Sequence, residues 1–136
     1  MSDKAFSDIE FGEDLPAFKP DTSLANVTKF AKAVGMMTGR FTDHEAARKQ
    51  GLPGAIVPGI MSQAMLAALV HRWAQNATIE KIDTIFRAPV LVDQEHAISG
   101  VVTDMDEDEH RIEIDLTLEN AAGETRVLGT ATVRLP

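Results

Sequence analysis

Asp43 and His44 are an adjacent acid and imidazole. A carboxylate beside an imidazole is a common arrangement for moving protons near neutral pH, so the pair is a candidate for general acid–base chemistry. The same residues fit a structural role. Asp43 can cap a helix and leave His44 exposed in its first turn, and successive helix positions do not face each other. The other imidazoles, His71, His96 and His110, are scattered, and no pair has the H-E-x-x-H spacing of a zinc helix. The acid run from Asp104 to Glu109 does not follow the D-x-[DN]-x-[DN]-G order of a calcium loop. It reads as a solvated hairpin turn, and no metal site is expected. Arg40, Arg48, Lys49, Arg72 and Arg87 could meet a nucleotide phosphate, although surface ion pairing is the commoner use of such residues. Met36 and Met37 could line an apolar channel, or simply fill core at a helix end.

These residues sit in a chain of 136 with a formal net charge of −8. That length is one domain, residues 1–136, on the prior of roughly 100–200 residues per domain. At 44% hydrophobic the chain can bury a core, and with no cysteine it has neither disulfides nor thiolate metal ligands. The acidic balance argues against nucleic acid as a partner, since phosphate contacts need an excess of Lys and Arg. No apolar run approaches the roughly 18 residues of a membrane span. Met1-Ser2-Asp3-Lys4 does not lead into an apolar core, so no secretory signal and a cytoplasmic location are expected.

Several elements must position the candidates. The first twenty residues read as irregular or briefly extended, with Pro16 and Pro20 limiting regular pairing. Asp21-Thr22-Ser23 is a helix start, and Leu24, Val27, Phe30, Ala31 and Val34 carry a helix to about Val34. Gly35 and Gly39 stop it. A short helix from Glu45 to Gln50 follows Asp43 and ends at Gly51. Leu52 to Gly59 is an apolar approach loop to a helix from about Ile60 to Gln75. Between Ile60 and Val70 only Ser62 and Gln63 are polar, which predicts a buried helix. Trp73 is expected where that helix leaves the sheet, facing the surface.

Strands make up the remainder. Ile79 to Arg87 should turn Ile82, Thr84 and Phe86 to one face, with Val90 to Val92 continuing after Pro89. His96–Thr103, Arg111–Glu119 and Thr125–Leu135 complete the set. Ile112, Ile114, Leu116 and Leu118 alternate with polar residues, the pattern of a strand with one wet face. A long buried helix followed by antiparallel strands predicts an α+β domain, its curved sheet wrapped around the helix.

Four stretches resemble the MaoC-like, or (R)-specific enoyl-CoA hydratase, branch of the hot-dog fold. They are Phe11-Gly12-Glu13-Asp14-Leu15-Pro16, the approach from Ala47 through Gly51 and Ile56 to Gly59, Phe86-Arg87-Ala88-Pro89-Val90, and Gly129-Thr130-Ala131-Thr132-Val133. The resemblance implies a hot-dog fold, an acyl-CoA thioester ligand with coenzyme A as part of the substrate, and no separate cofactor. It also implies a dimer or a heteromer with a second hot-dog subunit. The family's Gly, here Gly59, polarises the thioester carbonyl through its N–H, a task suited to a helix N-terminus.

The same resemblance exposes a departure. Active members carry D-x-N-P-x-H upstream, and those positions here hold Met36, Thr38, Gly39 and Phe41. Neither Met36 nor Phe41 can move a proton. Pro58 stands where the family commonly has His. Met36, Phe41, Pro58, Gly59 and Arg87 are therefore expected to bind substrate. Asp43 and His44 are the catalytic candidates. Three functions follow: a non-catalytic subunit of a heteromeric hydratase, an active hydratase or dehydratase with relocated residues, and a thioesterase or acyl-ligand binder using Ser62 or Gln63.

Overall fold

The structure, a computed structural model, describes residues 2–136. A single turn of 3-10 helix at Phe6–Asp8 leads to β1 (Asp14–Phe18). Three helices follow, α1 (Leu24–Ala33), α2 (Gly39–Thr42) and α3 (His44–Lys49), and then the long α4 (Gly59–Trp73). Four strands complete the chain: β2 (Thr78–Phe86), β3 (His96–Asp106), β4 (Arg111–Asn120) and β5 (Thr125–Arg134). They form one antiparallel sheet with β1 in the order β1-β3-β4-β5-β2.

Local chemistry sets the helix ends. Ser23 caps α1, its hydroxyl accepting from the Asn26 amide. At the other end Gly35 takes a φ of 73°. The Gly35 amide donates to Lys32 and the Met36 amide to Ala31, which closes α1 in a Schellman motif. Gly39 does not stop a helix as expected. It opens α2, because a Cβ there would lie 2.7 Å from Ala46 Cβ and only glycine lets α2 pack on α3.

The central helix lies on the inner face of the sheet, as its composition predicts. Gly100, Leu116 and Gly129 form a row across β3, β4 and β5. A Cβ on Gly100 would lie 3.3 Å from Leu69, and one on Gly129 would lie 2.8 Å from Leu66. The two glycines thus make room for the two leucines that seat α4. Leu66, Leu69, Ile98, Ile114, Leu116 and Val127 are fully buried around them. Each such side chain contributes about 1.5–3 kcal/mol of transfer free energy.

Several expectations change. Trp73 does not face the surface. It is buried, and its indole N–H donates to Glu13 across 3.1 Å, because β1 folds over that end of α4. The briefly extended stretch read near the N-terminus does join the sheet, as the short strand β1. β1 is an edge strand with an irregularity between Leu15 and Phe18, where Pro16 is tolerated. Val90 to Val92 does not continue β2. Leu91 instead bridges Ile56 in the approach loop. β3 runs to Asp106, shortening the acidic turn. α4 also has an exposed flank at Ile60, Ala64 and Ala68, so its apolar sequence is not matched by burial all round. Among the described residues no helix is long and apolar enough to cross a membrane.

Candidate functional site

The approach loop delivers the chain to the start of α4 in a fixed path. The Val57 amide donates to Val90 O (2.8 Å), the Val92 amide to Ala55 O (2.9 Å), and the Ile56 amide to Arg40 O (2.9 Å). Pro58, which has no amide proton to satisfy, is the N-cap residue. Its carbonyl accepts from Met61 and Ser62, and no side chain caps the helix. The Gly59 and Ile60 amides, ahead of these bonds, therefore keep donor capacity, and the helix dipole adds to it.

Gly59 borders a cleft of about 370 Å³, whose walls are Ile56, Val57, Ser62 and the Phe86–Val90 segment. A second, smaller hollow of about 270 Å³ is lined by Gly59, Ile60, Gln63 and Phe86. Gly59 and Phe86 belong to both. The Phe86 ring would lie 3.2 Å from a Cβ on Gly59, so glycine is what allows the aromatic ring over the start of the helix. Gln63 donates to Thr84 across 2.7 Å and ties α4 to β2 there. Among the cleft-lining residues Arg87 is the single titratable group, and Ser62 supplies the one hydroxyl. There is no carboxylate or imidazole to accept a proton. The cleft can hold a polarised carbonyl and one anionic group, but its own walls carry no acid–base pair.

The sequence-nominated residues separate into groups. Gly59 and Arg87 meet at the cleft. Pro58 is buried just behind it as the cap of α4. Met36 and Phe41 are half-buried and do not line it. Met36 lies just past α1, where its amide closes the helix end, while Phe41 packs on the hydrophobic core from α2. Met37 is 55% exposed. Asp43 spends its carboxylate on the Glu45 and Ala46 amides as the cap of α3. His44 turns instead to Asp93, with Nε2 2.7 Å from Oδ2, and its Nδ1 accepts from the Ala55 amide at 3.0 Å. Both ring nitrogens are engaged, so the ring offers no free lone pair to a substrate.

Asp93 is the residue that the sequence reading missed. Its second carboxylate oxygen accepts from the Leu24 amide at 2.8 Å, and its own amide donates to Thr22. The bond from His44, followed by that from Leu24, holds its carboxyl below the usual range. Asp93 also takes a φ of 65°, a left-handed conformation that Asp tolerates better than most residues. The only trace in the sequence was a polar Asp-Gln-Glu run after Val92. Of the other cations, Arg40 binds Gln50, Arg48 binds Pro53 O, and Arg72 lies 4.6 Å from the Phe18 ring centre.

The outer side of this region is apolar and open. β2 is an edge strand, and Ile85 and Phe86 at its end are 62% and 54% exposed, beside Ile60 at 52%. Exposed apolar residues at an unpaired strand edge are a liability that a partner removes.

The sequence matches the model of the MaoC like domain over residues 41–123. No curated protein matches it. Among solved structures, an (R)-hydratase from A. caviae involved in PHA biosynthesis is similar. It is 22% identical with a TM-score of 0.88, and the match covers 94% of this chain and 98% of that one. The R-hydratase PhaJ1 from Pseudomonas aeruginosa is 18% identical, with a TM-score of 0.89 and coverages of 97% and 85%. A chain of the ChsH1-ChsH2 complex from Mycobacterium tuberculosis is 20% identical, with a TM-score of 0.85 and coverages of 93% and 98%. At such identities the likeness shows the fold, which is the hot-dog fold.

Proposed function

The chain belongs to the MaoC-like domain family of hydratases and dehydratases, and on that premise we propose that it is an acyl-thioester-binding subunit without a proton shuttle of its own. A fatty acyl or related acyl-CoA would place its thioester carbonyl at the Gly59 amide and an anionic part of the coenzyme near Arg87. The single observation that carries this reading is the makeup of the cleft. It has an uncapped helix N-terminus and a cation, and no carboxylate or imidazole. The family's acid and base positions, taken by Met36 and Phe41, agree with it.

The chemistry then needs a second hot-dog subunit, which would supply the acid and base and cover Ile60, Ile85 and Phe86. One of the similar structures is a complex of two named chains, which supports such a partnership without identifying it here. Coenzyme A enters as part of the substrate, and no other cofactor is invoked. A cytoplasmic setting suits a CoA ligand.

Isothermal titration with octanoyl-CoA, paired with a hydration assay on crotonyl-CoA and longer enoyl-CoAs, tests the reading. We expect binding without turnover by this chain, and turnover once a second MaoC-like subunit with an intact D-x-N-P-x-H is added. Hydration by the purified chain alone would favour relocated catalytic residues. Steady release of free CoA would favour a thioesterase working through Ser62. Absence of octanoyl-CoA binding would remove the acyl-thioester reading.

A further inference from the structure

The segment that presents Gly59 is held on three sides by main-chain bonds, to Val90, Val92 and Arg40. One side chain completes the set. The Ala55 amide is fully buried and donates to His44 Nδ1 at 3.0 Å. An N–H donor at Nδ1 requires that nitrogen to be unprotonated, so the proton sits on Nε2, which points at Asp93 Oδ2 across 2.7 Å. Asp93 is fixed in turn by the Leu24 amide and by its own bond to Thr22. Gly54 leaves room for the ring, since a Cβ there would lie 2.9 Å from Nδ1. The imidazole is thereby set between the starts of α1 and α3 and the approach loop.

We propose that His44, held by Asp93, is a positioning residue that fixes the Ala55–Pro58 segment and so sets where the Gly59 amide points. The site it acts on is the one assigned above, and its effect on ligand affinity rests on that assignment. The ring touches no cleft-lining residue's reactive group. It acts through Ala55, whose buried amide donates to the ring and to no other group. A buried donor without an acceptor shifts to find one, and the segment carrying Gly59 shifts with it.

Two substitutions separate the ring's two bonds. His44→Asn keeps an acceptor at the Nδ1 position and loses the reach to Asp93. His44→Gln keeps the reach to Asp93 and loses the acceptor for Ala55. Octanoyl-CoA titration should find His44→Gln weaker by about five- to tenfold, the scale of one buried backbone hydrogen bond, and His44→Asn weakened less, since it keeps the acceptor and loses only the tether to Asp93. In amide spectra the Gly59 resonance should move further in His44→Gln than in His44→Asn. Equal behaviour of the two variants, or an unmoved Gly59 amide, overturns the proposal.

Two measurements cover the remaining cases. Ring-nitrogen spectra of the wild type should show an unprotonated Nδ1 and a protonated Nε2, and the opposite tautomer would overturn the proposal even if neither variant folds. If the wild type does not bind octanoyl-CoA, the functional reading above is lost, while the Gly59 amide and the ring tautomer still judge the latch.

Discussion

The hydroxyl of Thr22 lies 3.2 Å from His96 Nδ1 and donates to the Gln94 carbonyl, so the ring must donate to the hydroxyl in the protein interior. Burial pushes the His96 imidazole below its usual range, against a raising contribution from the Gln94 backbone. The folded state therefore resists protonation where the unfolded chain, near pH 6.5, does not. Stability is full above that pH and is lost as pH falls toward the folded value. Urea unfolding between pH 7.5 and 5.5 should show the decline, and His96→Gln should flatten it. An unchanged slope in the variant would assign the titration to another group.

Gly39→Ala should destabilise the protein by about 1–3 kcal/mol, the usual cost of overpacking. The new methyl would meet Ala46 Cβ at 2.7 Å. Neither atom can rotate away, so α2 must part from α3. Denaturant midpoints at constant slope are the measurement, and a neutral or stabilising result would mean that the two helices are not packed as described.

Arg87→Ala should weaken octanoyl-CoA binding by about fivefold while leaving the unfolding free energy within about 0.5 kcal/mol of wild type. Arg87 is exposed at the cleft. An acyl N-acetylcysteamine thioester, which lacks the phosphates, should bind both proteins alike. A matching loss with that truncated ligand would show that Arg87 shapes the cleft rather than binding an anion.

Ile85→Lys should break the association of β2 with a second subunit. Ile85 is 62% exposed on the edge strand, and a charge placed there is costly to bury in an interface. Sedimentation should give the mass of two hot-dog subunits for the wild-type assembly and of one for the variant. An unchanged mass would place the interface elsewhere.

What could be read from the sequence was local and periodic. The alternation from Ile112 to Leu118 specified a half-buried strand, and the apolar run from Ile60 to Val70 specified the helix it wraps. Ser23 and Asp43 marked helix starts because a cap acts on amides two or three residues away. Gly59 was nominated by resemblance and Arg87 by its charge as well, and the fold brings them to one cleft.

What only the tertiary structure decided lies in contacts between distant residues. Trp73 is inside because β1 folds over its end of α4, which also brings Glu13, sixty positions away, to its indole. Gly100 and Gly129 matter because Leu66 and Leu69 descend on them. Asp43 and His44 are neighbours in sequence, yet the partner of His44 is Asp93, forty-nine residues on. No periodicity records such a pairing. Burial patterns and caps are set by forces a few residues long, whereas the contact of His44 with Asp93 exists only where the tertiary fold brings two distant segments together.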